Sequence, residues 1–230
     1  MKIAITSDFH ANINATNAVF DIVEKSDIDA ILVAGDLIGY YFSPAEVIDR
    51  IRGSSLPTFI VKGNHEEMLI DALANDNIKK EISKKYGPGI DYAIRQLSCN
   101  TIEWIRQLEH PMSIELDGCR ILLCHGSPND INEYIYPDSD IASLLPLQKK
   151  YEIVVLGHTH YPFTYQIGSS IIVNPGSVGQ PRNREPGAHW TLLDTTTMNI
   201  VHRITEYDMK PILNQCNVKA PNHKYLREVL

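Results

Sequence analysis

Ile3-Ala4-Ile5-Thr6-Ser7-Asp8-Phe9-His10 sets a short apolar run against a polar turn carrying two side chains that commonly bind metals. The run reads as a buried strand, with Asp8 and His10 just beyond its carboxyl end. The chain then repeats the pattern. Ala30-Ile31-Leu32-Val33-Ala34 is closed by Gly35-Asp36, and Phe59-Ile60-Val61 by Gly63-Asn64-His65-Glu66. Between these runs, Ala15, Ala18, Val19, Ile22 and Val23 follow helical spacing, and Pro44 to Ile51 reads as a helix capped by Ser43. The order β-α-β-α-β predicts an α/β fold with parallel strands and helical crossovers.

Residues from about 66 to 110 read as mainly helical, an insertion within a single domain spanning 1–230. Ile90, Ala93, Ile94 and Leu97 form one apolar stripe, and Asn100 with Glu103 reads as a capping box. Lys79, Lys80, Lys84 and Lys85 read as a solvated face, with a phosphate-attracting patch as the alternative. From about 112 the pattern turns to strands. Asp117-Gly118 is a hairpin signal between Met112–Leu116 and Ile121–Cys124, and further strands are expected at Ile153–Leu156, Thr191–Asp194 and Ile200–Ile204. The tail from Met209 is expected to cover the core as short helical pieces.

The 230 residues are 43% hydrophobic and 21% charged, ordinary for a globular protein. A net charge of −7 argues against a polyanionic main partner, so nucleic acid is disfavoured. The four cysteines, Cys99, Cys119, Cys124 and Cys216, form no Cys-x-x-Cys pair and read as reduced thiols. No apolar run is long enough to span a membrane. With no export signal at the N-terminus, the expected location is the cytoplasm.

Two more strands end as the first three do: Ile121–Cys124 runs into His125-Gly126, and Ile153–Leu156 into Gly157-His158-Thr159-His160. Carboxyl ends of strands are where open α/β sheets place ligands. Asp8, His10, Asp36, Asn64, His125, His158 and His160 offer only nitrogen and oxygen donors, which suit manganese, iron, zinc or nickel. Seven side chains exceed the needs of one tetrahedral ion, and two ions sharing one carboxylate would use them well. Such a site attracts phosphate oxygens and acidifies bound water.

In this order the five blocks resemble those of the calcineurin-like metallophosphoesterase superfamily. Asn174-Pro175-Gly176-Ser177-Val178-Gly179-Gln180-Pro181-Arg182 is similar to a segment of its small bacterial and archaeal phosphodiesterase-like branch. The resemblance implies a four-layer αββα sandwich and two divalent transition-metal ions. Asp8, His10, Asp36 and His160 would hold the first ion; Asp36, as bridge, with Asn64, His125 and His158 would hold the second. A bridging hydroxide would attack phosphorus, and His65 would be the catalytic imidazole that protonates the leaving oxygen or stabilises charge on it. The implied substrate is a small phosphodiester or phosphomonoester, with a nucleotide among the candidates. The superfamily's protein phosphatases carry an Asp and an Arg three and four residues after the bridging Asp. Here those positions are Gly39 and Tyr40, which disfavours a protein phosphatase. Orientation of His65 must then come from elsewhere, with Glu66 either the orienting partner or a helix N-terminal charge.

Asn12 is a candidate substrate contact or a helix N-terminal residue. Arg182 is a candidate phosphate clamp or a surface loop residue. Tyr40, Tyr41 and Phe42 are expected to pack under the insertion, with stacking on a nucleobase as the alternative. Two other functions compete. A non-catalytic metal-binding scaffold of the same fold is disfavoured because His65 and every ligand position are filled. A nuclease is disfavoured by the acidic balance.

Overall fold

The computed structural model describes residues 1–230. Two five-stranded sheets face one another. The first runs, in spatial order, β10 (Asn199–Thr205), β9 (Ala188–Asp194), β1 (Lys2–Thr6), β2 (Ala30–Val33) and β3 (Thr58–Ile60). β1, β2 and β3 are parallel, while β9 runs antiparallel to β1 with Ile3 opposite Leu193. The second sheet runs β4 (Met112–Leu116), β5 (Cys119–Leu123), β6 (Ile153–Val155), β8 (Ser170–Pro175) and β7 (Pro162–Ile167). Its centre, β5-β6-β8, is parallel, and β4 and β7 are antiparallel edges. The β4–β5 hairpin turns on Asp117 and Gly118, both at positive φ (54° and 74°), as a type I′ turn requires.

Period-two alternation sorts the side chains into layers. Ile3, Ile5 and Leu32 point inward against Ile121, Leu123, Ile153 and Val155 of the other sheet. Ala4, Ile31 and Val33 point outward, onto Val19 and Phe20 of α1 (Ile13–Val23), Val47 and Ile48 of α2 (Pro44–Arg52), and the helices that follow β3. Strands covered on both faces read as continuous apolar runs, which is why β1 and β2 stand out in the sequence.

Four helices follow β3: α3 (Asn64–Ala74), α4 (Asp76–Tyr86), α5 (Gly89–Gln96) and α6 (Cys99–Gln107). They begin two residues earlier than the expected insertion, so Asn64 and His65 lie on the first turn of α3 rather than in a loop. The cap of α6 is Ser98, whose Oγ accepts from the Thr101 amide at 3.1 Å. Asn100 lies inside that helix, so the expected Asn100/Glu103 capping box does not form. Ser43 occupies the N-cap of α2 without a side-chain cap bond. The outermost layer over the second sheet is thin: a 3-10 helix, Ala142–Lys149, interrupted by Pro146, places Leu144 beside Tyr151 and Phe163. The tail forms α7 (Lys210–Lys219) and α8 (Tyr225–Glu228). It covers Tyr41 and Phe42 beyond β2, and the Tyr41 hydroxyl donates to the Leu226 carbonyl at 3.1 Å. Among the described residues no helix is long and apolar enough to cross a membrane.

Candidate metal centre

The parallel strands of both sheets end on one side of the molecule, and hydrogen bonds continue past the strands into their loops. The amide of Asp8 donates to Gly35 O (3.1 Å), that of His10 to Asp36 O (3.0 Å), and that of Gly157 to His125 O (2.6 Å). The Val178 and Gly179 amides donate to Ser7 O and Asp8 O, and Ser177 Oγ donates to Asp8 O at 2.7 Å. The segment beginning at Asn174 thus braces the turn after β1. Within this frame Asp8, His10, Asp36, His158 and His160 all have φ between 49° and 68°. That region costs a non-glycine residue on the order of 1–3 kcal/mol, and its repetition at one site signals a functional constraint. The left-handed kinks turn five side chains back across the strand ends toward a common point.

All seven expected ligands meet there, and all are buried. Asp8, His10 and His160 form one group, with His160 Nε2 3.3 Å from Asp8 Oδ1 and 3.0 Å from His10 Nε2. Asp36, His125 and His158 form another, with His125 Nε2 3.3 Å from Asp36 Oδ2, 3.2 Å from His158 Nδ1 and 2.9 Å from Asn64 Oδ1. Asp36 Oδ2 also lies 3.7 Å from His10 Nε2, so one carboxylate joins the two groups. The Nδ1 atoms of His10, His125 and His160 contact the carbonyls of Ile38, Ala34 and Gln180 at 3.1, 2.7 and 2.5 Å. With Nδ1 turned to a carbonyl, each ring presents Nε2 inward, the atom that would ligate a metal. Asp8 Oδ1 and His158 Nε2 are buried without a hydrogen-bond partner. Inward ring nitrogens only 3 Å apart and orphaned buried donors fit divalent cations, which would satisfy them together.

The charges follow from this crowding. Burial works against the Asp36 carboxylate, but His125 and His65 outweigh it and hold the group well below the usual range. Burial likewise opposes the Asp8 charge, and His160 and His125 bring it down nonetheless. Burial opposes the charged form of His125 too, but Asp36 and Asp8 push it up to about 9. For His65 burial wins against Asp36 and pushes it down to about 4, so the ring is neutral at pH 7.

His65 is not oriented by Glu66. The Glu66 carboxylate accepts from four backbone amides: Asp36 (2.9 Å), Leu37 (2.9 Å), Ile38 (3.3 Å) and Gly63 (2.8 Å). It staples the turn after β2 to the start of α3. Burial and the Asp36 charge push its pKa up to about 7, against the pull of those donors. His65 is placed by shape instead. Its ring stands 4.8 Å from those of His10 and Tyr40 and 5.4 Å from that of Tyr86. Its other side rests on Gly39, where any Cβ would collide with His65 Nδ1. Asn64 and His65 serve different directions because consecutive helical residues project about 100° apart.

Asn12 is fully buried, and its amide group is spent on the fold. Oδ1 accepts from the Ala15 amide, capping α1, while Nδ2 donates to Gly179 O and Tyr207 Oη. That is the helix-terminal role, and it leaves no donor for substrate. Arg182 is half-buried at the site mouth, where its Nη2 donates to Tyr40 Oη and to Gln180 Oε1, both at 3.0 Å. Among the described residues no carboxylate lies within ion-pair distance of it. Tyr41 packs under the tail, and Phe42 packs under both the tail and Tyr92 of α5 in the insertion, 5.3 Å ring to ring, but Tyr40 lines the site, 4.5 Å ring to ring from His10. The pairing of Tyr40 with Arg182 across 142 positions has no local sequence signal; the consecutive aromatics after Asp36 were the nearest clue.

Residues 1–198 match the model of the calcineurin-like phosphoesterase superfamily domain. An uncharacterized protein of Methanocaldococcus jannaschii is 27% identical over 90% of this chain and 88% of its own. Phosphodiesterase YfcE of Escherichia coli is 23% identical over 87% of this chain and 91% of its own. The crystal structure of a metallophosphoesterase from Sphaerobacter thermophilus superposes with a TM-score of 0.80 at 26% identity, covering 100% of this chain and 98% of the other. A family match over most of the chain thus meets a donor cluster reached independently from geometry, and the chain belongs to the calcineurin-like phosphoesterase superfamily.

Proposed function

We propose that this chain is a dinuclear metal-dependent phosphoesterase that hydrolyses small phosphodiesters in preference to phosphomonoesters. The observation that carries the reading is the position of Asp36 Oδ2, shared between the donor groups of His10 and of His125. Asp8, His10, Asp36 and His160 would hold one ion; Asp36, Asn64, His125 and His158 would hold the other. Divalent cations held there, manganese foremost, would supply an acidified water and positive charge facing the phosphoryl oxygens. Arg182, which has no carboxylate of its own, grips a non-bridging oxygen and fixes the ester's orientation. His65 Nε2 lies 4.0 Å from Asp36 Oδ2, too far for a hydrogen bond, so its N–H is free to donate to the leaving oxygen. The diester preference is supported by the phosphodiesterase names of relatives and by Arg182 as a single guanidinium suited to a monoanion.

The test is a paired rate assay on manganese-reconstituted protein with bis(p-nitrophenyl) phosphate and p-nitrophenyl phosphate. Faster cleavage of the diester, lost in His65→Ala, is expected. Faster cleavage of the monoester would overturn the diester preference, and equal rates in His65→Ala would remove His65 from the chemistry.

A further inference from the structure

The connection between β5 and β6 carries Tyr134-Ile135-Tyr136, which alternates out, in, out. Ile135, together with Ile131, is buried and anchors the segment, while Tyr134 and Tyr136 are 48% and 36% exposed. Their rings stack, with centroids 5.8 Å apart and planes 11° from parallel. Tyr134 also lies against the imidazole of His158, centroids 4.0 Å apart, so the pair stands at the rim of the metal centre. Tyr40 and Tyr86 line the same rim, 6.0 Å ring to ring, from the turn after β2 and the end of α4. The Arg182 charge bears on the hydroxyls of both Tyr40 and Tyr134. The Arg182 guanidinium, with no carboxylate partner among the described residues, lies 5.7 Å from the Tyr40 ring centroid, and the exposed faces at this rim are those of Tyr134 and Tyr136.

Resting on the phosphoesterase reading above, we infer that Tyr134 is a stacking platform for a nucleobase, and that the substrates of this site are small nucleoside phosphoesters. The phosphoryl group lies at Arg182 and the metal centre, and the flat base lies on the exposed tyrosine rim. A tyrosine face held by buried isoleucines stacks on a base with little loss of side-chain entropy. Asp130, Glu133, Asp138 and Asp140 lie on the same connection and repel a long polyanion, so the ligand is a nucleotide rather than a nucleic-acid strand.

The test is calorimetric binding of AMP and ribose 5-phosphate to manganese-loaded His65→Ala protein, which keeps both ligands intact. The two share phosphate and sugar and differ only in the base. AMP is expected to bind about ten-fold tighter, the scale of one base–aromatic stack. Adding Tyr134→Ala removes that advantage, and adding Tyr134→Phe keeps it. Equal affinities, or an advantage that survives Tyr134→Ala, overturn the platform while diester turnover by the unsubstituted protein still supports the phosphoesterase reading. Absence of turnover on every ester overturns that reading, and the platform with it.

Discussion

At the scale of single residues, the His65 ring is held by packing, while only the residue's backbone amide is hydrogen-bonded, to Asp36 Oδ1 at 2.9 Å. Its Nδ1 is buried and unpaired, and the ring is wedged among His10, Tyr40, Tyr86 and the bare backbone of Gly39. Gly39 sits at φ +98°, where a side chain is strained, and its missing Cβ is the space the imidazole needs. Gly39→Ala is therefore expected to cost about 1–3 kcal/mol of stability and to displace His65. Thermal unfolding and diester turnover measured together check this: turnover should fall by far more than the loss of folded protein explains. An alanine variant with wild-type turnover would show that the ring is placed by something else.

At the scale of elements, the metal centre is made where strands end. The strand-end blocks were legible in the sequence because each couples a continuous apolar run to Gly, Asp, Asn or His. The physical demand for buried strands and inward donors leaves that pattern in any chain that meets it. What holds the blocks together was not legible. Glu66 stood beside His65 in sequence, yet its carboxylate serves three amides of the turn after β2 and the amide of its own helix's N-cap, Gly63. Likewise, the Tyr40–Arg182 bracket and the Tyr134 rim depend on tertiary proximity between segments far apart in the chain. The Ser98 cap was missed because the Asn100/Glu103 pair imitates a capping box two residues too late. Glu66→Gln should keep the shape but weaken the charge-assisted bonds, costing about 1–3 kcal/mol. Because Asp36 is one of the residues stapled, metal affinity should fall with stability. Calorimetric titration of manganese checks this, and unchanged affinity would confine Glu66 to folding.

At the scale of the whole molecule, two sheets are joined at one end by donors from both: Asp8, His10, Asp36 and Asn64 follow strands of the first, and His125, His158 and His160 follow strands of the second. Cations bound across that seam would tie the sheets together and link stability to metal by mass action. At metal concentrations 100-fold above Kd the gain is about 2.7 kcal/mol. For a chain of this length that is roughly 5–10 °C in Tm, which chelation should remove in a thermal melt. A separate dependence on pH comes from the far surface. The Arg120 guanidinium, bonded to both Glu152 oxygens, holds that carboxyl down at about 2 against an ordinary 4.5. A depressed carboxyl stabilises the fold above its unfolded pKa, and the contribution is lost as pH falls from 4.5 through 2. The small Tm deficit of Glu152→Gln at pH 7 should therefore shrink as pH falls below 4.5 and approach zero only below about pH 2. The deciding measurement sets metal content per chain beside diester turnover in the manganese-loaded wild type and His65→Ala. Two ions in both proteins, with cleavage of bis(p-nitrophenyl) phosphate by the wild type alone, is the predicted result. Two ions in a wild type that cleaves no ester, or one ion per chain at full activity, would contradict a dinuclear phosphoesterase.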